Sequence, residues 1–341
     1  MILFYILLAL LVLSSLRLNR KGFNADCLAI PTTNAVKGIF ILLVFIKHAT
    51  PYVVNAGYAG GYVFDYVDTH VGQWIVAMFL FYSGYGIMES IAKKGEAYVN
   101  SIPMKRVLTV LVNFAVAVSI FAVVGAILGK TYSPMHYLLS LIGWEAVGNS
   151  NWYIFVIMLC YLIAYISFCK SKYIHIHVQS AILCFALLTL SVIGLSFLKP
   201  NWWYDTMLCF GAGIFYSIYR EKIEGFAKRH YWITLSVLIL MLVGIHHIPL
   251  YAKGLVYNAF CIVFCGLIVI LSMRVQVNSK ALLWCGQNLF PLYIYQRIPM
   301  IILAEVGDGA FVSSYPVVYT FCCLVITILL AYCYRYWAIK L

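Results

Sequence analysis

Along the chain, long apolar runs alternate with short polar ones. A helix that crosses a bilayer needs about 20 mostly apolar residues, and eleven runs meet or approach that length: 1–16, 36–54, 71–92, 107–128, 152–168, 178–198, 202–219, 231–248, 255–273, 282–304 and 317–337. The pattern predicts an all-α fold, a polytopic transmembrane helix bundle of about eleven spans. The sixth and seventh runs are separated by little more than Lys199, Pro200 and Asn201, a tight reversal. The longest polar stretches run about 15–25 residues by the same span arithmetic, too short for a separate domain, and no internal repeat is visible. Any chemistry therefore sits inside the bundle or at its mouths.

Composition agrees. Of 341 residues, 64% are hydrophobic and 10% charged, with mean hydropathy +0.95, which excludes an ordinary soluble domain, whose apolar share is about one half. A formal charge of +12 raises the question of nucleic acid, but the bases form short clusters between apolar runs rather than a stripe interleaved with stacking aromatics. They act as topology signals, because short cytoplasmic loops collect lysine and arginine. With the N-terminus outside, the inner segments hold Arg17, Arg20, Lys21; Lys93, Lys94, Lys105, Arg106; Lys170, Lys172; Arg220, Lys222, Lys228, Arg229; Arg274, Lys280; and Arg335, Lys340. That is seventeen bases against Lys130, Lys199 and Lys253 outside. A miscounted helix would invert the bias in every later loop, so the expectation is a multi-pass cell-membrane protein with its N-terminus outside and C-terminus cytoplasmic. The first apolar run precedes its positive charges, so it is expected to remain as a membrane helix. The eleven cysteines are scattered without CxxC spacing and read as free thiols. His175 and His177, and His246 and His247, lack Cys or carboxylate partners at metal spacing, so no metal is assigned.

Ionisable groups inside spans are costly and are functional candidates. In the second run Lys37 is followed eleven positions later by His48. Eleven helical steps end about 20° past three full turns, with a rise of about 16.5 Å, so the two share a face. A cation at one end and an imidazole three turns deeper suit a long donor whose anionic end stays at the surface while its reactive end reaches inward, as a coenzyme A thioester would. Lysine holds phosphate as a point charge. Histidine can take the proton of an attacking hydroxyl and return it to a leaving thiolate. On the residues alone, a histidine that simply hydrogen-bonds across helices remains open. Lys47 faces about 100° away and is expected to snorkel or pair elsewhere.

At these residues the chain resembles the acyltransferase family 3 membrane proteins, in which a basic residue, ten intervening residues and a histidine mark an early helix. Here Lys37-Gly38 stands where the family has an Arg-Gly opening, which keeps the charge but loses the bidentate fork. Four further segments resemble the family in order: Phe79–Tyr85 with Ser83-Gly84, followed by Lys93-Lys94 and Lys105-Arg106; Asn151–Phe155; Phe210–Phe215; and Leu289–Tyr295. The likeness runs from Thr33 to the C-terminus, which implies a membrane acyltransferase domain over 33–341 with a ten-helix core, and an extra helix and loop over 1–32.

The resemblance implies an acyl-CoA donor, acetyl-CoA in the first place, and a hydroxyl of a cell-surface or envelope glycan such as O-antigen or capsule as acceptor. It implies His48 as general base or acyl carrier, Lys37, Lys105 and Arg106 as donor-binding, and Ser83, Trp152, Tyr153, Tyr295, Gln296 and Arg297 as acceptor or site-lining residues. Gln296-Arg297 stands where family members often carry a histidine, and glutamine cannot shuttle protons. Trp152 also suits an interfacial anchor and Ser83 a helix contact. The competing reading is a transporter or glycan flippase. It is disfavoured because proton-coupled transporters carry carboxylates at mid-membrane, and none lies near a span centre here.

Overall fold

The computed structural model describes residues 1–169, 176–248, 253–307 and 309–340; Lys170, Lys172 and His175 lie outside them. Each of the eleven apolar runs is helical. Helix α1 (Ile2–Ser15) leads into β1 (Leu16–Leu18), then α2 (Ile30–Asn55), α3 (Gly61–His70), α4 (Ala77–Lys94), α5 (Glu96–Ile102) and α6 (Thr109–Ile127). There follow α7 (Pro134–Leu141), α8 (Trp152–Phe168), α9 (Ile176–Ser196), α10 (Leu208–Ile218), α11 (Arg220–Arg229) and α12 (Tyr231–His246). The chain closes with α13 (Gly254–Ser272), β2 (Val275–Val277), α14 (Lys280–Gln287), α15 (Leu289–Tyr295), α16 (Arg297–Ala304), α17 (Ala310–Ser314) and α18 (Pro316–Cys333).

The expected count of eleven spans is not confirmed. Among the described residues, six helices are long and apolar enough to cross a membrane, or seven if α11 and α12, which meet at a 104° bend, form one broken span. The difference has local causes. The run 282–304 is interrupted at Asn288 and Gln296 into α14, α15 and α16, and the run 202–219 spends its first residues in a 3-10 turn, leaving eleven in α10. Five helices among the described residues were not foreseen, all within stretches that read as loops: α3, α5, α7, α11 and α17. Among the described residues the one departure from an all-α fold is a ribbon in which β1 pairs antiparallel with β2, Leu16 opposite Val277 and Leu18 opposite Val275.

Two helix pairs position the site, and glycine sets both. In α2 a Cβ on Gly38 would collide with the Leu282 carbonyl of α14, and one on Gly286 of α14 would collide with the Asn34 carbonyl of α2. In the second pair, Gly84 of α4 faces the Phe210 carbonyl of α10, while Gly213 of α10 faces the Phe81 carbonyl and Tyr85 amide of α4. Lipid is as apolar as leucine, so helices in a membrane associate through such close backbone approach rather than by hiding apolar surface. The outward faces accordingly stay apolar: Trp232, Ile233, Leu240 and Val243 of α12 and Phe321 and Leu329 of α18 are exposed.

Candidate active site

Helix α2 carries a basic side chain near one end and an imidazole near the other, and each opens into its own cavity. The His48 cavity, about 340 Å³, is walled by Lys47 and His48, by Gly72 and Gln73 in the turn before α4, by Trp152 at the start of α8 and by Tyr293 of α15. Ser150 Oγ lies 3.5 Å from His48 Nδ1, the outer limit of a hydrogen bond. The Tyr293 ring centroid is 6.0 Å from that of His48. One helical turn beyond Tyr293, Arg297 donates from a terminal nitrogen to Tyr52 Oη at 3.3 Å. Among the described residues, the Tyr293 hydroxyl and Arg297 Nε are buried with no hydrogen-bond acceptor of good geometry. A buried donor without an acceptor costs about 1–3 kcal/mol, so two of them beside a histidine mark a place where an oxygen anion would be welcome.

Lys47 lines the same cavity but is neutralised: Nζ donates to Asp68 Oδ2 at 2.7 Å and to the Asp68 carbonyl at 2.8 Å. Asp68 also accepts from Tyr5 Oη at 2.9 Å, so one carboxylate at the end of α3 joins α1, α2 and α3.

The Lys37 cavity, about 670 Å³, opens at the other end of α2. Lys37, Lys93, Arg106 and Arg220 line it, with Asp26 and Glu89. Asp26 is held by Arg220 at 2.6 Å, and Glu89 by Ser217 at 2.8 Å. Among the described residues no carboxylate pairs with Lys37 or Arg106. Arg220 also meets Glu224 at 2.7 Å. Burial acts to raise the Glu224 carboxyl, but the hydrogen bonds and charges of Arg220 and Lys228 outweigh it and hold the group below its usual range.

A further, narrow cavity of about 170 Å³ is lined by Phe79, Ser83, Tyr153, Tyr161, Phe290 and Tyr293 among others. It shares Tyr293 with the His48 cavity. Its rings form a connected wall, Phe79 to Tyr153 at 6.1 Å and Tyr153 to Tyr293 at 5.4 Å between centroids.

A family model described as an acyltransferase domain, that of acyltransferase family 3, matches residues 31–336. The chain belongs to acyltransferase family 3. No curated protein and no solved structure matches it.

In this family 3 acyltransferase the residues singled out by sequence are dispersed. His48 and Trp152 line one cavity, Ser83 and Tyr153 the narrow one, and Lys37 and Arg106 the third. Lys105 lies with Arg106 on the wall of a separate basic cavity. Arg297 is beside Tyr52, close to His48. Gln296 is enclosed, its Nε2 donating to the Tyr293 carbonyl at 2.9 Å, and Tyr295 points the other way, accepting from Trp337 Nε1 at 3.3 Å. Four contacting residues escaped the sequence reading: Ser150, Tyr293, Gln73 and Tyr161. Tyr293 had a signal, since it precedes Arg297 by four residues and so shares its helical face. Ser150 lies in the polar run Gly148–Asn151 just before the helix start at Trp152. Gln73 and Tyr161 had none.

Proposed function

We propose that the protein is a membrane O-acyltransferase that takes an acyl group, acetyl in the first place, from acyl-CoA on the cytoplasmic side and sets it on a hydroxyl of an envelope glycan. The observation that supports this reading is the pairing of a basic cavity and a histidine cavity at opposite ends of α2, with a narrow aromatic cavity that shares Tyr293 with the second. Phosphates would meet Lys37 and Arg106 while the pantetheine arm runs past Ser83 and Tyr161 toward Tyr293. The orientation follows the charges: Lys37 opens on the end that bears Lys93, Arg106 and Arg220, and basic residues favour the cytoplasmic face. The acceptor would reach His48 from the opposite mouth, where the Trp152 ring and the Gln73 amide offer a sugar a stacking face and a polar partner.

As the acceptor hydroxyl oxygen attacks the thioester carbonyl, the His48 ring takes its proton, and the carbonyl oxygen becomes an oxyanion facing the free donors of Tyr293 and Arg297. Collapse forms the ester and breaks the carbon–sulfur bond, and the coenzyme A thiolate takes the proton from His48. Ser150 steadies the ring.

The test is transfer of labelled acetyl from acetyl-CoA into envelope glycan by membranes containing the native protein or His48→Ala at equal abundance. Loss of a general base costs about 10²–10⁴-fold; undiminished transfer by His48→Ala would remove the mechanism. A label retained on the protein after denaturation and absent from His48→Ala would replace direct transfer by an acyl-histidine carrier.

A further inference from the structure

A fourth cavity, about 560 Å³, is lined by Lys94, Lys105, Arg106 and Lys340, with Tyr98, and among the described residues by no carboxylate. Arg106 is common to it and to the Lys37 cavity. Its walls are built with some care. Pro103–Leu108 forms a π-helical turn, a wide and uncommon geometry that recurs at functional sites, and it carries Lys105 and Arg106. Arg106 Nε donates to Tyr98 Oη at 3.1 Å. Lys340 comes from the far end of the sequence and is held in place by the buried Asn113 of α6. Asn113 Nδ2 donates to the Ile339 carbonyl at 2.8 Å, and Ile339 N donates to Asn113 Oδ1 at 3.0 Å. Tyr295 pins the same tail through Trp337. Four cations brought together by three chain segments, with no acid among them in the described residues, repel one another unless an anion joins them.

We infer that this cavity is a phosphomonoester site and that its occupant is the 3′-phosphate of the coenzyme A donor. The inference rests on the acyl-CoA reading above and divides the donor between two sites. The diphosphate lies with Lys37, and the ribose 3′-phosphate, nearly a dianion as phosphomonoesters are near neutral pH, lies with Lys94, Lys105 and Lys340. Arg106 stands between the two. Asn113 and Tyr295 are positioning residues for the tail that supplies Lys340.

The experiment compares binding of acetyl-CoA and 3′-dephospho-acetyl-CoA to the full chain in nanodiscs of zwitterionic lipid. The native protein is expected to favour acetyl-CoA by about tenfold or more, one charge-assisted contact's worth. The double variant Lys94→Gln/Lys340→Gln is expected to lose that preference while binding the dephospho form as the native protein does, which also shows that it is folded. Asn113→Ala should lower the preference in the same direction. Equal binding of the two forms by the native protein, or a preference that survives in the double variant, overturns the site and leaves the donor reading intact. Binding of neither form overturns the donor reading and this inference with it. If the preference is absent and the variants instead lose retained phosphatidylglycerol, the cavity holds a lipid phosphate and the inference is likewise overturned.

Discussion

At the scale of single residues, the proposed chemistry rests on groups whose hydrogen-bonding capacity the protein leaves unspent. Tyr293→Phe removes one hydroxyl and little volume, and should lower kcat by about 10²-fold, the cost of one oxyanion donor, with acetyl-CoA affinity unchanged in steady-state and binding assays. An equal fall in affinity would mean that Tyr293 serves binding alone. Asp68→Asn removes the charge that Lys47 faces, and should lower stability by about 1–3 kcal/mol, read as a drop in the thermal transition of the purified protein; an unchanged transition would show the pair to be idle. Lys37 and His48 were legible because both lie on one uninterrupted helix, where the 3.6-residue period fixes their relative direction. Tyr295 was named and Tyr293 passed over, although Tyr293 lies on the helical face of Arg297, whereas Tyr295 turns to Trp337. The partner of Lys47 was hidden for a different reason: Asp68 sits on another helix, 21 residues away.

Among the elements, the motif glycines turn out to be contact points. Gly84→Val should split α4 from α10, and the expected outcome is loss of folded protein in detergent, followed by fluorescence-detected size-exclusion chromatography. Gly86→Ala is the control: two residues on in the same helix, a Cβ there meets nothing within 4 Å and should be tolerated. If both variants behave alike, the close approach is not what holds the pair. The α11 helix illustrates what was readable and missed. Arg220, Glu224 and Lys228 recur at the four-residue spacing of a helical face, yet their charge made the segment look like a loop. That spacing also has a pH consequence. The folded Glu224 lies below its ordinary value of 4.5, so its contribution to stability is present in full above that value and is lost as pH falls through the lower folded one. Thermal stability should therefore drop in acid in the native protein and drop less in Glu224→Gln.

For the molecule as a whole, hydropathy identified an all-helical membrane protein, because composition over 20 residues is robust to local detail. It could not see that Asn288 and Gln296 break one apolar run into three short helices or that α11 meets α12 at a 104° bend. Nor could it show that Leu16–Leu18 reaches across to Val275–Val277, since three-residue strands carry no pattern of their own.

The cavities at the two ends of α2 have no lining residue in common, and the rings of Phe79, Tyr153 and Tyr293 form a connected wall. A membrane that stores energy as a proton gradient can host an acyltransferase only if the protein is electrically tight, and on the proposed reading these rings would be the barrier. Proteoliposomes of the native protein should hold an imposed pH difference, followed with an entrapped dye, whereas Tyr293→Gly should let it decay; a gradient kept by both would place the seal elsewhere. The same tyrosine would then serve both as a hydrogen-bond donor and as insulation, so activity and leakiness should change together in variants that shrink it.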